Sequence, residues 1–190
     1  MAYRYRFMLL FGATLLAALP AAAQVSALAL GDAAAPKGGY IVQERAALSP
    51  YAQDVLDRVN ALRAAGARCG SRVMDAAPPL RWSPALERAA AVQVRDMAQR
   101  NTVSHAGSDG SDVAARVTRE GYDWSAVGEN AAAGNATLAA TLAQWMGSPG
   151  HCANLMGGHF RELAVVGTRL PGQGFEWYWI MVLAAPMGGH

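Results

Sequence analysis

The C-terminal part of the chain most restricts the possible folds, because its hydrophobic period changes there from helical to strand-like. The segments "ELAVVGTRL" and "FEWYWIMVL" are rich in branched and aromatic residues and flank the turn signal "PGQG", which predicts a β-hairpin. Trp177, Tyr178 and Trp179 occupy consecutive strand positions, so they cannot all face one side. Either this strand is buried on both faces or its aromatics form a groove wall. Burial agrees better with the large apolar area of these side chains.

Four helices are predicted before the hairpin. The first two begin at Ser49-Pro50 and Ser83-Pro84, because a serine cap followed by proline is typical of a helix start. A third lies between residues 107 and 121, where "GSDGSD" offers caps, and a fourth runs from about residue 137 to 146 and stops at "GSPG". Several helices followed by paired strands, without βαβ alternation, indicate a layered α+β fold.

The N-terminus has the three regions of a secretory signal. A basic start, "MAYRYR", precedes an apolar run and the small residues "AAAQ", so we expect cleavage after Ala23 and a secreted or periplasmic protein. Residues 24–48 have no sustained period and predict a flexible leader. One domain is expected over residues 49–186, with no integral membrane span in the mature chain.

The charge of the mature chain excludes one class of partner. The formal charge of +2 includes Arg4 and Arg6, both in the signal segment, so 14 basic and 14 acidic residues remain. Nucleic-acid binding requires a basic stripe, and none is present.

The two cysteines, Cys69 and Cys152, predict a disulfide. An even cysteine count in an exported chain favours pairing. A catalytic Cys152 would instead need His105 or His159 as its base, and a disulfide removes that thiol. Serine hydrolysis has no G-x-S-x-G elbow to support it.

Three histidines, His105, His151 and His159, lie just outside the predicted helices and strands, and Glu129 in "VGENAAAG" has similar surroundings. Loops beside rigid elements are where binding residues concentrate. Two imidazoles with a carboxylate or water suit zinc at an open site, although the close spacing of "HExxH" is missing. The alternative is that these are loop histidines bonded to nearby backbone.

Four motifs in series resemble the CAP superfamily, which comprises the cysteine-rich secretory proteins, antigen five and the pathogenesis-related plant proteins, and in particular its bacterial secreted branch. They are "SHAGSDGSD", "VGENAAAG", "QWMGSPGHCAN" and "HFRELAVVG", the last followed by an aromatic strand. The similarity extends from about Ser49 to Leu183. It implies an α-β-α sandwich, with helices on both sides of a small antiparallel sheet and a wide cleft on one face.

The resemblance also implies a cleft where two histidines and two acids meet and the histidines can hold zinc or another divalent metal. By the motifs, His105 and His159 are these histidines and Glu129 is the first acid. The second acid is replaced by Ser148, and the turn after it brings His151 nearby, so we expect Ser148 and His151 to line the cleft too. This replacement counts against a strict two-acid mechanism and leaves a metal site possible.

Two asparagines of the same motifs, Asn130 and Asn154, are expected to fix loop backbone rather than to do chemistry. For the whole chain, we expect a monomeric, non-enzymatic binding module whose cleft takes a small apolar or amphipathic ligand, with His105, Glu129 and His159 organising a metal or a polar head group. Sterol, fatty-acid and protein binding have all been associated with the family. The first alternative is a metal-dependent peptidase with Glu129 as general base. The second is a non-catalytic protein that meets protein partners at the cell surface.

Overall fold

A computed structural model describes residues 47–172 and 174–188. The predicted signal peptide and all but the last two residues of the predicted leader lie outside this part of the chain. The elements follow in this order: α1 (Pro50–Ala65), β1 (Ala67–Cys69), β2 (Arg72–Met74), β3 (Arg81–Trp82), α2 (Pro84–Arg100), α3 (Val113–Arg119), β4 (Trp124–Ala133), α4 (Leu138–Gly147), α5 (Pro149–Leu155), β5 (Glu162–Arg169) and β6 (Trp177–Pro186).

Four strands form one sheet in the order β3, β5, β6, β4. The predicted hairpin is confirmed, since β5 and β6 pair antiparallel from Glu162 opposite Ala184 to Arg169 opposite Trp177. Strand β4 pairs antiparallel with the other side of β6. The two-residue β3 pairs parallel with β5. The expected antiparallel sheet therefore has one parallel edge, which the long connection through α2, β4 and α4 allows.

Helices cover both faces of the sheet, so the predicted α-β-α sandwich is confirmed. Strand β6 is buried on both faces and alternate residues serve different cores. On one face Trp179, Met181 and Leu183 pack with α1 and α4. On the other face Tyr178, Ile180 and Val182 pack with α2 and α3.

The aromatic run of β6 is thus buried rather than exposed along a groove. Trp177 and Trp179 share a face and stack with ring centroids 5.9 Å apart. Trp179 lies opposite Gly167 of β5, where a Cβ atom would come within 2.5 Å of the indole ring. Glycine is required there because any side chain would displace the tryptophan.

The four predicted helices are present, and their starts follow the predicted caps with one exception. The Ser49 hydroxyl accepts a hydrogen bond from the Ala52 amide at 3.1 Å. Asp112 caps α3 in the same way. The Ser83 hydroxyl makes no capping bond. Its backbone amide donates to Leu163 O of β5, because Ser83 directly follows β3.

Helix α5, strand β4 and the short strands β1, β2 and β3 were not predicted. The segment "PGHCANL", expected to be a turn, forms α5. The segment "WSAVGENAAA", expected to be a loop around Glu129, forms strand β4. Both depend on tertiary contacts rather than on local pattern, since β4 takes its register from β6. Within the described residues, no helix is both long enough and apolar enough to span a bilayer.

Candidate functional site

His105 lies in the loop between α2 and α3. Asn101, in the left-handed conformation, ends α2, and buried Gln93 then fixes the loop by donating to Ser104 O at 2.6 Å. The His105 side chain is 63% exposed, and its Nδ1 lies 2.9 Å from Glu129 Oε1. Because a carboxylate only accepts hydrogen bonds, Nδ1 carries the proton. The other ring nitrogen, Nε2, is therefore the one left for a ligand.

Glu129 comes from the middle of β4, so its expected placement in a loop was wrong. Its side chain is only 2% exposed. Alternation along the strand directs Glu129 toward the α3 layer and its neighbour Asn130 toward α5, in agreement with their contacts. The side chains of Glu129 and Asn130, although neighbours in sequence, therefore lie on opposite faces of the sheet.

Arg116 of α3 is the partner of Glu129 that sequence analysis missed. Its Nη2 donates to Glu129 Oε2 at 2.7 Å, and its side chain is 1% exposed. The same guanidinium donates to the backbone carbonyls of Ser111 at 2.8 Å and His105 at 3.2 Å. A signal was present, because Arg116 lies next to Val117 and one turn after Val113 on the predicted apolar side of the helix. An arginine there needs a buried anion.

The two neighbouring histidines have opposite pKa shifts. The hydrogen bond to Glu129 raises the pKa of His105; burial and the Arg116 charge act against this rise. Burial lowers the pKa of His151, and the nearby His105 lowers it further. His151 therefore lies within electrostatic reach of His105.

The amides of Asn130 and Asn154 fasten α5 to β4. Asn130 Nδ2 donates to His151 O at 3.0 Å. Asn154 Nδ2 donates to Glu129 O at 3.2 Å and to Asn130 Oδ1 at 3.0 Å. Through these two side chains, the backbone of α5 is connected to that of β4. This agrees with the structural role expected of both asparagines. They also hold the backbone of Glu129.

Ser148 and His159 have fewer contacts with this group. Ser148 ends α4 and begins α5, and its hydroxyl makes no capping bond. The exposed His159 ring packs against Phe160, with centroids 4.1 Å apart. Neither side chain has a hydrogen bond to Glu129 or His105 within the described residues.

The predicted disulfide is confirmed. Cys69 of β1 and Cys152 of α5 are bonded, with Cα atoms 5.4 Å apart and 83 residues apart in sequence. Both cysteines are buried, with Met156 in the same small cluster. The bond removes the only thiols of the chain, so nucleophilic catalysis by Cys152 is excluded.

The donor set suits only an open metal site. A carboxylate on the far nitrogen of a histidine is the usual support of a metal-binding imidazole, and Glu129 gives His105 that support. Both Glu129 oxygens are engaged, however, and among residues 47–172 and 174–188 no three His, Cys, Asp or Glu side chains group to hold an ion. A resident site with three or four protein ligands therefore does not fit.

A separate apolar groove of about 460 Å³ lies between α1 and α4. Helix α1 contributes Arg58, Ala61 and Leu62, and α4 contributes Ala139, Ala143 and Met146. Apart from Arg58, every lining side chain is apolar. Arg58 is half-exposed and pairs with Asp54 at 2.8 Å. The volume lies within the roughly 300–1,000 Å³ of small-molecule sites.

Comparison with known proteins gives one family and several solved structures of the same fold. The model of the cysteine-rich secretory protein family matches residues 56–183. No curated protein sequence matches the chain. An extracellular protein containing a SCP domain from Bacillus anthracis superposes with a TM-score of 0.57 at 22% identity, over 74% of this chain and 45% of that protein. This chain therefore spans under half the length of that protein.

Two other solved structures share the fold. An outer surface protein from Borrelia burgdorferi superposes with a TM-score of 0.60 at 14% identity, covering 71% of this chain and 92% of that one. A cysteine-rich secretory protein from Staphylococcus aureus gives a TM-score of 0.51 at 14% identity, covering 70% and 38%. At these identities the similarity shows the α-β-α architecture.

Proposed function

The chain belongs to the cysteine-rich secretory protein family, and on that premise we propose that it is an exported, non-catalytic module that binds a single-chain amphiphile such as a fatty acid. The observation that carries the proposal is the α1–α4 groove, whose small alanine side chains leave room for a slender chain. Arg58 at the groove supplies a cation for an acidic head group. The likeness to an extracellular and an outer surface protein supports export, together with the signal-like N-terminus.

Blocking the groove tests the ligand. Ala143 lines the groove, whereas Ala140, on the same helix and also exposed, does not. We expect Ala143→Trp to abolish saturable binding of a dansyl-labelled fatty acid by residues 24–190, and Ala140→Trp to leave it intact. Equal binding by the two variants, or no binding by the wild type, would rule out this groove.

A second role is proposed for the His105 site, as a weak and exchangeable site for zinc or another divalent metal. The largely exposed imidazole of His105, whose Nδ1 is held by Glu129, favours this role, with His159 as the second imidazole by resemblance. Isothermal titration with zinc should give heats that disappear in His105→Ala and decrease in His159→Ala. Identical heats from wild type and both variants would rule out metal binding by these histidines.

The peptidase alternative is less well supported by the geometry. A general base needs a carboxylate oxygen within reach of the attacking water, but Glu129 is buried and both its oxygens are hydrogen-bonded. We therefore expect no cleavage of a broad peptide library, with or without zinc. Cleavage that Glu129→Gln abolishes would favour the enzyme.

A further inference from the structure

Arg116 holds His105 in two ways, once by a direct hydrogen bond and once through Glu129. Its Nη2 donates directly to the His105 backbone carbonyl at 3.2 Å. The same nitrogen donates at 2.7 Å to Glu129 Oε2, while Glu129 Oε1 accepts from the His105 ring at 2.9 Å. One buried guanidinium therefore fixes both the backbone and, through a carboxylate, the ring of the same histidine.

The burial of these groups makes the arrangement rigid. Arg116 and Glu129 are 1% and 2% exposed, whereas the His105 side chain is 63% exposed. A third bond, from Arg116 Nη1 to Ser111 O at 2.8 Å, ties the guanidinium to the far end of the same loop. Rotating the carboxylate would leave a buried charge unpaired, which is costly. Glu129 thus meets the exposed ring in one fixed orientation.

A fixed acceptor at Nδ1 has a chemical consequence for the ring. The neutral imidazole has one proton, and a carboxylate at Nδ1 keeps it on that nitrogen. Nε2 then carries a lone pair on the side of the ring away from Glu129, and the ring is largely exposed. A free histidine in water prefers the opposite tautomer, with the proton on Nε2.

We propose that Arg116 is the positioning residue of the His105 site: by holding Glu129 and the His105 backbone, it keeps the neutral ring in the Nδ1–H tautomer with Nε2 as an electron-pair donor. The proposal rests on the role given to His105 above and adds what that site accepts. While the ring is neutral, a partner at Nε2 must be a metal cation or a hydrogen-bond donor, not an anion or an acceptor.

Nitrogen-15 NMR of the metal-free and ligand-free protein tests the tautomer directly. At a pH where His105 is neutral, we expect Nε2 of the wild type to have the chemical shift of an unprotonated ring nitrogen. Arg116→Gln should lose this signature and move toward the tautomer mixture of free histidine. Arg116→Lys, which restores the charge but cannot reach all three acceptors, should fall between them.

Arg119 supplies the matched control, because it is on the same helix, exposed, and paired with Asp109 instead. Arg119→Gln should retain the wild-type signature. A wild-type Nε2–H tautomer would overturn the proposal, as would a wild-type signature in Arg116→Gln or, if that variant does not fold, in Arg116→Lys. Since no ligand is used, failure of fatty-acid or zinc binding leaves this result unaffected.

Discussion

At the scale of single residues, His105 and His151 should titrate on opposite sides of the ordinary histidine pKa of 6.5. The Glu129 hydrogen bond raises the pKa of His105, and burial lowers that of His151. Proton NMR from pH 4 to 9 should separate the two. In His105→Gln the pKa of His151 should move back toward 6.5, because a nearby positive charge is removed. An unchanged His151 pKa in that variant would contradict their proximity.

The signs of these shifts also determine the pH dependence of stability. A raised pKa means that the contribution of His105 is complete below pH 6.5 and is lost as pH rises through its folded-state pKa. A lowered pKa means that the contribution of His151 is present above pH 6.5 and is lost as pH falls through its folded-state pKa. The two effects oppose each other. Replacing one histidine should therefore reveal the pH dependence due to the other.

Replacing only one member of the buried Arg116–Glu129 ion pair should lower the free energy of unfolding strongly. Arg116→Met leaves the Glu129 carboxylate buried without its cation, so we expect a loss of about 3–5 kcal/mol in the free energy of unfolding. The double variant Arg116→Met/Glu129→Met should lose less than Arg116→Met alone. Urea denaturation measures both, and a double variant less stable than either single variant would contradict the pairing.

Sequence patterns selected His105 and Glu129 as candidates and predicted the disulfide, which is confirmed, but did not lead to Arg116. Histidine and glutamate were recognisable within short motifs. The contact of Arg116 with Glu129 joins a helix to a strand 13 residues later, and nothing local to either segment indicates that α3 packs over that strand. The loop placement of Glu129 failed for the same reason.

At the scale of elements, capped and periodic segments were predictable and short tertiary-dependent ones were not. Helices α1 to α4 and the β5–β6 hairpin have their own start, stop and period signals. Helix α5 has seven residues and no side-chain cap, and β4 contains Gly128 and Asn130, which are poor strand formers. Strand β4 is held instead by β6 and by side chains, since Trp145 Nε1 donates to Ala131 O and Asn154 donates to Glu129 O.

The disulfide should contribute strongly to the position of α5. It closes a segment of 83 residues, for which the chain-entropy model gives about 4–5 kcal/mol. Cys69→Ala/Cys152→Ala should therefore unfold at clearly lower urea concentration than the wild type. Reductant should destabilise only the wild type. A change below about 1 kcal/mol, or free alkylatable thiols in exported protein, would contradict this role.

At the scale of the whole molecule, the layered α+β class followed from the order of helices and paired strands, and the α-β-α sandwich from the family resemblance. Strand β6, which is apolar on both faces, agrees with that architecture. Trp179 and Tyr178 of β6 require a helical layer each, and the sequence has helices to supply both. The α1–α4 groove could not be predicted in this way. The groove depends on how α1 and α4, which are separated by 72 residues in sequence, pack against each other. The alanine content of the two helices does not by itself predict a groove between them.

A crystal structure of residues 24–190 grown with a long-chain fatty acid would decide whether the α1–α4 groove binds an amphiphile. We predict continuous density for the acyl chain between Leu62 and Met146, with the carboxylate near Arg58. An empty groove at saturating fatty acid, or an acyl chain bound elsewhere, would contradict amphiphile binding in this groove.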